Sequence, residues 1–267
     1  ASLVSTVYMT VIPARKAGVQ QIALATPPRK DGSVDPNILV VASLLDVDEI
    51  YKVGGAQAIA AFAFGTKTIP KVDKIVGPGN AYVVEAKRQV FGMVDIDMPA
   101  GPSEIAIIAN RSSNPQFVLT DLLAETEHAG GVSFLITTSK ALAAMARKQI
   151  RSGYCIVVKN LEEAADAANC LAPEHLEIMV KSPRKLLKRI TRAGAIFLGP
   201  YSPVTVGDYV AGPSHVLPTS GAARMFSGLG VDDFIRKTHV ISYTKSALEK
   251  VREPVQHLTA LEGLPRH

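Results

Sequence analysis

The sequence predicts an α/β protein with two parallel-sheet domains followed by a helical arm, and three observations carry that expectation. Short apolar runs alternate with longer segments of helical apolar spacing along most of the chain. A Pro/Gly-rich crossing at 97–103 interrupts the alternation once. After a glycine-rich stretch at 221–233 the alternation stops, and one amphipathic helical pattern ends the chain.

Taken in order, 5–17 has helical spacing ending at Gly18, and 21–25 is an apolar strand closed by Thr26-Pro27-Pro28. A helix at 37–45, a short strand at 49–51 and a helix at 54–64 opened by Gly54-Gly55 follow. A strand at 74–76 runs into Gly77-Pro78-Gly79-Asn80 and a helix at 81–91. Strand, glycine-rich turn and helix suit a phosphate or nucleotide group, because a helix N-terminus presents unpaired N–H groups and partial positive charge. The turn lacks the third glycine of the dinucleotide fingerprint, so a plain tight turn accounts for it equally well.

Beyond the crossing the alternation restarts with a strand at 104–109. Helices are predicted at 115–128, 140–151, 161–171 and 184–193, and strands at 133–137, 154–158, 176–180 and 195–198. Strands of about five residues separated by longer helices imply parallel βαβ units with both sheet faces covered. The expected organisation is two Rossmann-like domains, 1–102 and 103–229, and an arm at 230–267 that holds an extended piece at 238–243 and a helix at 246–261.

Composition narrows the class. The 267 residues are 47% hydrophobic, enough for one large or two modest cores. No apolar run is long enough to span a bilayer, and the start at Ala1 lacks a basic leader and an initiator Met, so it reads as a truncation. Cys155 and Cys170 form neither a disulfide framework nor a metal motif, which points to a reducing cytoplasm; Cys170 reads as a small buried hydrophobe. A net charge of +5 is dispersed over helical segments, there is no Trp and no interleaving of basic and aromatic residues, and nucleic acid binding is not expected.

Groups able to carry chemistry gather in four places. Glu174 and His175 stand side by side where Pro173 stops one helix and a strand begins, so an acid and a base can face a cleft. Glu125 and His128, three residues apart on one helix face, have a workable two-ligand spacing for a metal. Asp208 follows the strand 195–198 and reads as a loop residue near a strand's carboxyl end, where open α/β sheets bind ligands. Glu262 and His267 close the chain. Carboxylates and imidazoles suit zinc, but spacing alone does not join the four places, and each taken singly is more often a surface feature. His239 and His257 have nothing beside them and are assigned to structure.

Four segments, 76–83, 97–104, 172–177 and 207–219, closely resemble histidinol dehydrogenase and stand in that family's order. The resemblance runs through the whole chain and covers the central and C-terminal part of a family member. It implies two successive NAD-dependent oxidations, from L-histidinol through the aldehyde to L-histidine, in histidine biosynthesis, with zinc holding the substrate. It makes His175 the base for the alcohol proton and Glu174 the base that activates water for the aldehyde. Zinc ligands would be Glu125, His128, Asp208 and His267, which with His175 also match substrate-contacting positions, as do Ser103, His215 and Glu262. Gln57 and Asn80 match positions that contact NAD. In the family, the counterparts of Glu262 and His267 reach the partner subunit's site, which implies a homodimer. The family usually has Gln where this chain has Glu125, and a carboxylate there adds negative charge and binds zinc more strongly. The chain is also shorter than the family between His128 and Ser133 and around Arg151-Ser152-Gly153, and it lacks the N-terminal portion with its NAD-contacting Tyr. Two other readings stay open: oxidation of another polar alcohol, hinted at by Glu125, and a silent metal-binding scaffold.

Overall fold

A computed structural model of the chain describes residues 3–128, 130–264 and 266. The chain divides into two units, Ala1–Phe234 and Ile235–His267, and the boundary expected at 102/103 lies inside the first. Within the first unit the early alternating run comprises helices α1 (Val4–Lys16), α2 (Pro36–Leu44), α3 (Gly55–Phe64) and α4 (Ala81–Val90) and strands β1 (Ala23–Ala25), β2 (Glu49–Tyr51), β3 (Lys74–Ile75) and β4 (Asp95–Ile96). These strands form two separate parallel pairs, β1 with β2 and β3 with β4. Strands of two or three residues present too few ladder groups for a wide sheet. Their cores are correspondingly local: Val7 and Val11 of α1 pack with Ile38 and Ala42 of α2, while Ile59, Phe62 and Ala63 of α3 pack with Val90 of α4.

The later run forms one five-stranded parallel sheet from β5 (Glu104–Ala109), β6 (Val132–Thr137), β7 (Gly153–Val157), β8 (His175–Met179) and β9 (Ala195–Leu198), in the order β7-β6-β5-β8-β9. The order reverses between β5 and β8. Alternate residues of β5 feed the two faces: Ile105, Ile107 and Ala109 pack under α5 (Pro115–Ala124) and α6 (Lys140–Arg147), and Ala106 and Ile108 under α7 (Leu161–Leu171) and α8 (Pro183–Leu187). Full burial of a Leu or Ile contributes about 2 kcal/mol, so these two layers are the main support of the sheet. A last helix of the first unit, α9 (Val204–Tyr209), follows β9.

Helix ends obey local chemistry. Asn160 caps α7 by accepting the Glu163 N–H at 2.8 Å, and the helix stops at Ala172, which is left-handed (φ 50°) ahead of Pro173. The second unit is α10 (Lys245–Leu261), capped by Thr244; residues 238–243 form no regular element. Leu248, Val255, Leu258 and Leu261 are exposed along it. Among the described residues no helix is long and apolar enough to cross a membrane. Cys170, expected to be buried, is exposed, because it lies on the outer side of the last turn of α7.

Candidate active site

The amino ends of β5 and β8 are adjacent strands in register, Ile105 opposite His175, and this pairing brings Ser103-Glu104 against Glu174-His175. The Glu104 N–H donates to Glu174 Oε2 at 2.9 Å. In return, Glu104 Oε1 accepts the N–H groups of Glu174 (3.3 Å) and Ser220 (3.0 Å). The Ser103 side chain lies near both Glu174 and Glu125 and offsets part of the burial effect on each carboxyl. β9 comes close on the other side: Ala195 N–H donates to the Glu174 carbonyl at 2.8 Å, and a Cβ on Gly194 would lie 2.6 Å from that oxygen, so only glycine fits.

His175 is buried, and its Nδ1 lies 3.3 Å from the Glu104 carbonyl. A carbonyl can only accept, which assigns the imidazole proton to Nδ1 and leaves Nε2 with its lone pair. Nε2 is buried without a hydrogen-bond partner, 3.7 Å from Asp208 Oδ1. Burial holds the imidazole down to about 4, and the nearby His128 and His215 act in the same direction. Burial pushes Glu174 well above the usual carboxylate range despite its hydrogen bonds, with Glu125 and Glu104 adding repulsion. Glu104, Glu125 and Asp208 are raised too, each mainly by burial. The site is therefore a cluster of carboxyl groups and a neutral imidazole, poor in counter-charge.

The buried imidazole of His175 makes an acid-sensitive contribution to stability. The unfolded chain protonates His175 near 6.5, the folded chain only near 4, so stability present above neutral pH is lost as pH falls through that window. The loss amounts to roughly 3 kcal/mol when the window has been crossed. The raised carboxyls act in the opposite sense, so the difference between wild type and His175→Asn isolates the imidazole. Urea titrations at pH 7 and 4.5 should show wild type losing ground to the variant on acidification; parallel curves would contradict it.

The expected metal residues are reached differently from the sequence reading. The helix does not continue to His128: α5 ends at Ala124, the chain tightens into a 3-10 turn at Glu125–Glu127, and His128 is extended. The tightening follows from Gly131, whose N–H donates to the His128 carbonyl and where a Cβ would stand 2.2 Å from the Glu125 carbonyl. Glu125 is buried and its Oε1 has no partner. Asp208 is not in a loop but on α9, and it faces the amino ends of the strands, because α9 folds back along the sheet from the carboxyl end of β9. The carboxyl-end crevice at the strand-order reversal, about 310 Å³ and lined by Asn110, Val180, Lys181 and Arg189, contains none of the expected residues. His215 Nδ1 donates to the Asp208 carbonyl (3.0 Å) and Nε2 lies 3.1 Å from the Thr6 hydroxyl, tying α9 to α1. Among the described residues no group of three His, Cys, Asp or Glu side chains is gathered closely enough to hold a metal. His267 lies outside the described residues, and Glu262 caps the end of α10 in the second unit.

Gln57 and Asn80 sit at the starts of two helices. Gln57 is exposed in the first turn of α3, whose N-cap Gly54 supplies no side-chain cap. Asn80 caps α4 by accepting the Tyr82 and Val83 N–H groups, both at 3.1 Å. The glycine-rich turn before it is held from below by the buried pair Lys87–Asp97: Asp97 Oδ2 accepts the Gly77 N–H at 2.7 Å and Lys87 Nζ donates to the Gly77 carbonyl at 3.0 Å. Several of the turn's donors are thus already engaged within the protein. Among the residues sequence reasoning missed is Glu104, which reads as the polar first residue of a strand; only the pairing of β5 with β8 reveals that it anchors Glu174.

A family model for histidinol dehydrogenase matches residues 1–267. The histidinol dehydrogenase of Bacillus cereus is 50% identical over 286 aligned positions, covering 100% of this chain and 66% of the relative; that of Clostridium acetobutylicum is 50% identical over 282, covering 98% and 65%. A crystal structure of histidinol dehydrogenase from Elizabethkingia anophelis superposes with a TM-score of 0.92 at 39% identity, over 99% of this chain and 65% of that one. The chain thus spans somewhat less than two thirds of the length of these relatives. The aligned length exceeds the 267 residues here, in keeping with the short segments after His128 and around Ser152, which meet in space: Ser152 Oγ donates to the Gly131 carbonyl at 2.9 Å. On the match of the whole chain to the family model and on these identities, the chain belongs to the histidinol dehydrogenase family.

Proposed function

We propose that the protein oxidises L-histidinol through L-histidinal to L-histidine in two NAD-linked steps, the last of histidine biosynthesis, as a cytoplasmic homodimer. The observation that carries this reading is the side-by-side placement of two different proton acceptors, a neutral imidazole with an unshared Nε2 lone pair and a buried carboxyl. An alcohol oxidation needs one base for the hydroxyl proton, and an aldehyde oxidation needs another for the attacking water. His175 Nε2 takes the alcohol proton as hydride leaves the carbon. The imidazolium so formed is stabilised by the Glu104 carbonyl at Nδ1 and by Asp208 Oδ1 on the other side. Glu174, held through Oε2 by the Glu104 N–H, takes a proton from water as it adds to the aldehyde. Gln57 and Asn80 would contact NAD, which accepts the hydride.

In chemistry the donor set suits zinc, although among the described residues its side chains are not gathered closely enough to hold the ion. Glu125 and Asp208 offer oxygens and His128 a nitrogen, and the buried, partnerless Glu125 Oε1 is an atom a cation would satisfy. Glu125, His128 and Asp208 would hold the ion, with His267 of a second copy as fourth ligand. Zinc bound there would position the imidazole and amine of histidinol. Ser103, His215 and Glu262 would line the substrate. The test is the number of NADH formed per L-histidinol consumed by the full-length protein with zinc supplied. Two are expected; one would leave an alcohol dehydrogenase that stops at the aldehyde, and none would overturn the reading.

A further inference from the structure

One level beneath the site lies a pair of carboxyl groups that none of these steps uses. Glu177 is two residues beyond His175 on β8, points to the same face of the sheet, and is only 1% exposed. Its Oε1 accepts the N–H of Val204, the first residue of α9, at 2.9 Å. Its Oε2 is buried with no N–H or hydroxyl donor. The group facing it is Asp121 of α5, close enough that one carboxyl, when protonated, can donate to the other. Burial, reinforced by the Asp121 charge, pushes Glu177 up to about 9, so Glu177 holds the proton and donates it to Asp121. One neutral carboxyl thereby joins a strand and two helices.

The spacing explains what this junction does. Asp121 precedes Glu125 by four residues and Val204 precedes Asp208 by four, each a rise of about 6 Å along a helix. Glu177 follows His175 by two residues, about 6.6 Å along a strand. Both helices approach the amino end of β8 as their numbers rise, so three equal steps lead from the junction to three site residues. Fixing Glu177 against Asp121 and Val204 sets the height of Glu125 and Asp208 against His175. We propose that Glu177, through its hydrogen bonds to Asp121 and the Val204 N–H, is a positioning residue that sets the register of Glu125 and Asp208 opposite His175. The proposal rests on the reading of that cluster as a zinc-dependent dehydrogenase site.

The test compares Glu177→Gln, Glu177→Leu and Asp121→Ala in the full-length protein, by kcat, KM for NAD, zinc affinity in competition with a chelator, and thermal midpoint. An amide reproduces both hydrogen bonds, so Glu177→Gln should keep kcat and zinc affinity within about threefold of wild type. Leu fills the volume but makes neither bond, so Glu177→Leu should lose about a hundredfold in kcat and about tenfold in zinc affinity. Its KM for NAD should stay within about twofold, because Gln57 and Asn80 lie on other elements. Asp121, only half-buried, gives a second variant that folds if Glu177→Leu does not, and it should move kcat and zinc affinity in the same direction. Wild-type kcat and zinc affinity in Glu177→Leu or, failing that, in Asp121→Ala, or equal damage from Gln and Leu, would overturn the proposal. If wild type itself produces no NADH from histidinol, the functional reading fails by that result, while the zinc affinities still decide the role of Glu177.

Discussion

Replacing His175 by Asn is expected to leave a folded protein in which hydride transfer from L-histidinol is slowed by roughly a thousandfold. Asn fits the space and can still donate to the Glu104 carbonyl, which now accepts from Nδ1, but it offers no basic nitrogen where Nε2 stands. The residual rate then comes from positioning alone. The loss should be confined to the alcohol step, since the attack of water on the aldehyde is assigned to Glu174. Single-turnover NADH formation measured separately from histidinol and from histidinal separates the two. A variant equally slow on both substrates would mean that His175 supports the whole site and is not the base of one step. The wild-type alcohol step should also persist to mildly acidic pH, because an imidazole held near 4 keeps its lone pair where an ordinary histidine is protonated.

Much of the frame was legible because it follows local rules. The helix at 161–171 has an Asn cap at one end and an Ala-Pro stop at the other, and the strand at 195–198 is a plain apolar run; both occur at the expected positions. The helix expected at 184–193 ends early, at Leu187, because the Asn169 side chain takes the Arg189 carbonyl and the Thr191 N–H and offers that segment partners outside a helix. Asp208 was misread for a similar reason. Gly207 breaks a helical pattern on paper, yet its Cα passes so close to the Phe197 ring that a Cβ would stand 2.6 Å from it, so the glycine permits α9 to lie on β9. The pairing of Glu174 with His175 could be read because the two are neighbours in the chain. Glu104, Asp121 and Glu177 could not, since an acid in an alternating strand or a helix reads as a solvated side chain. It becomes buried only when α5 and α9 cover that face of β8. What escaped sequence reasoning is thus the part of the site made by register between strands and by one helical turn set against two strand residues.

Glu174→Gln should stop the reaction halfway. The amide oxygen can still accept the Glu104 N–H, now 2.9 Å from Oε2, so the loop before β8 keeps its place and the alcohol step should fall by less than about tenfold. The amide cannot take a proton from water, and oxidation of histidinal should drop by roughly a hundredfold or more. NADH formed per histidinol consumed then falls from two towards one as aldehyde accumulates, which a carbonyl-trapping hydrazine would capture. The pH dependence follows from the same burial. A carboxyl held well above its ordinary range is largely protonated, and inactive as a base, until the pH approaches its raised value. The wild-type aldehyde step should therefore climb with pH, by up to about tenfold per unit below that value, whereas the residual step in Glu174→Gln should be flat. Because Glu125 and Glu104 contribute repulsion after burial, a cation bound beside Glu125 would offset part of it and shift the rise to lower pH. Measuring the profile at limiting and saturating zinc tests this directly. Two NADH per histidinol from Glu174→Gln at an unchanged rate would remove Glu174 from the aldehyde step, and a rise with pH that survived the substitution would assign the ionisation to another group.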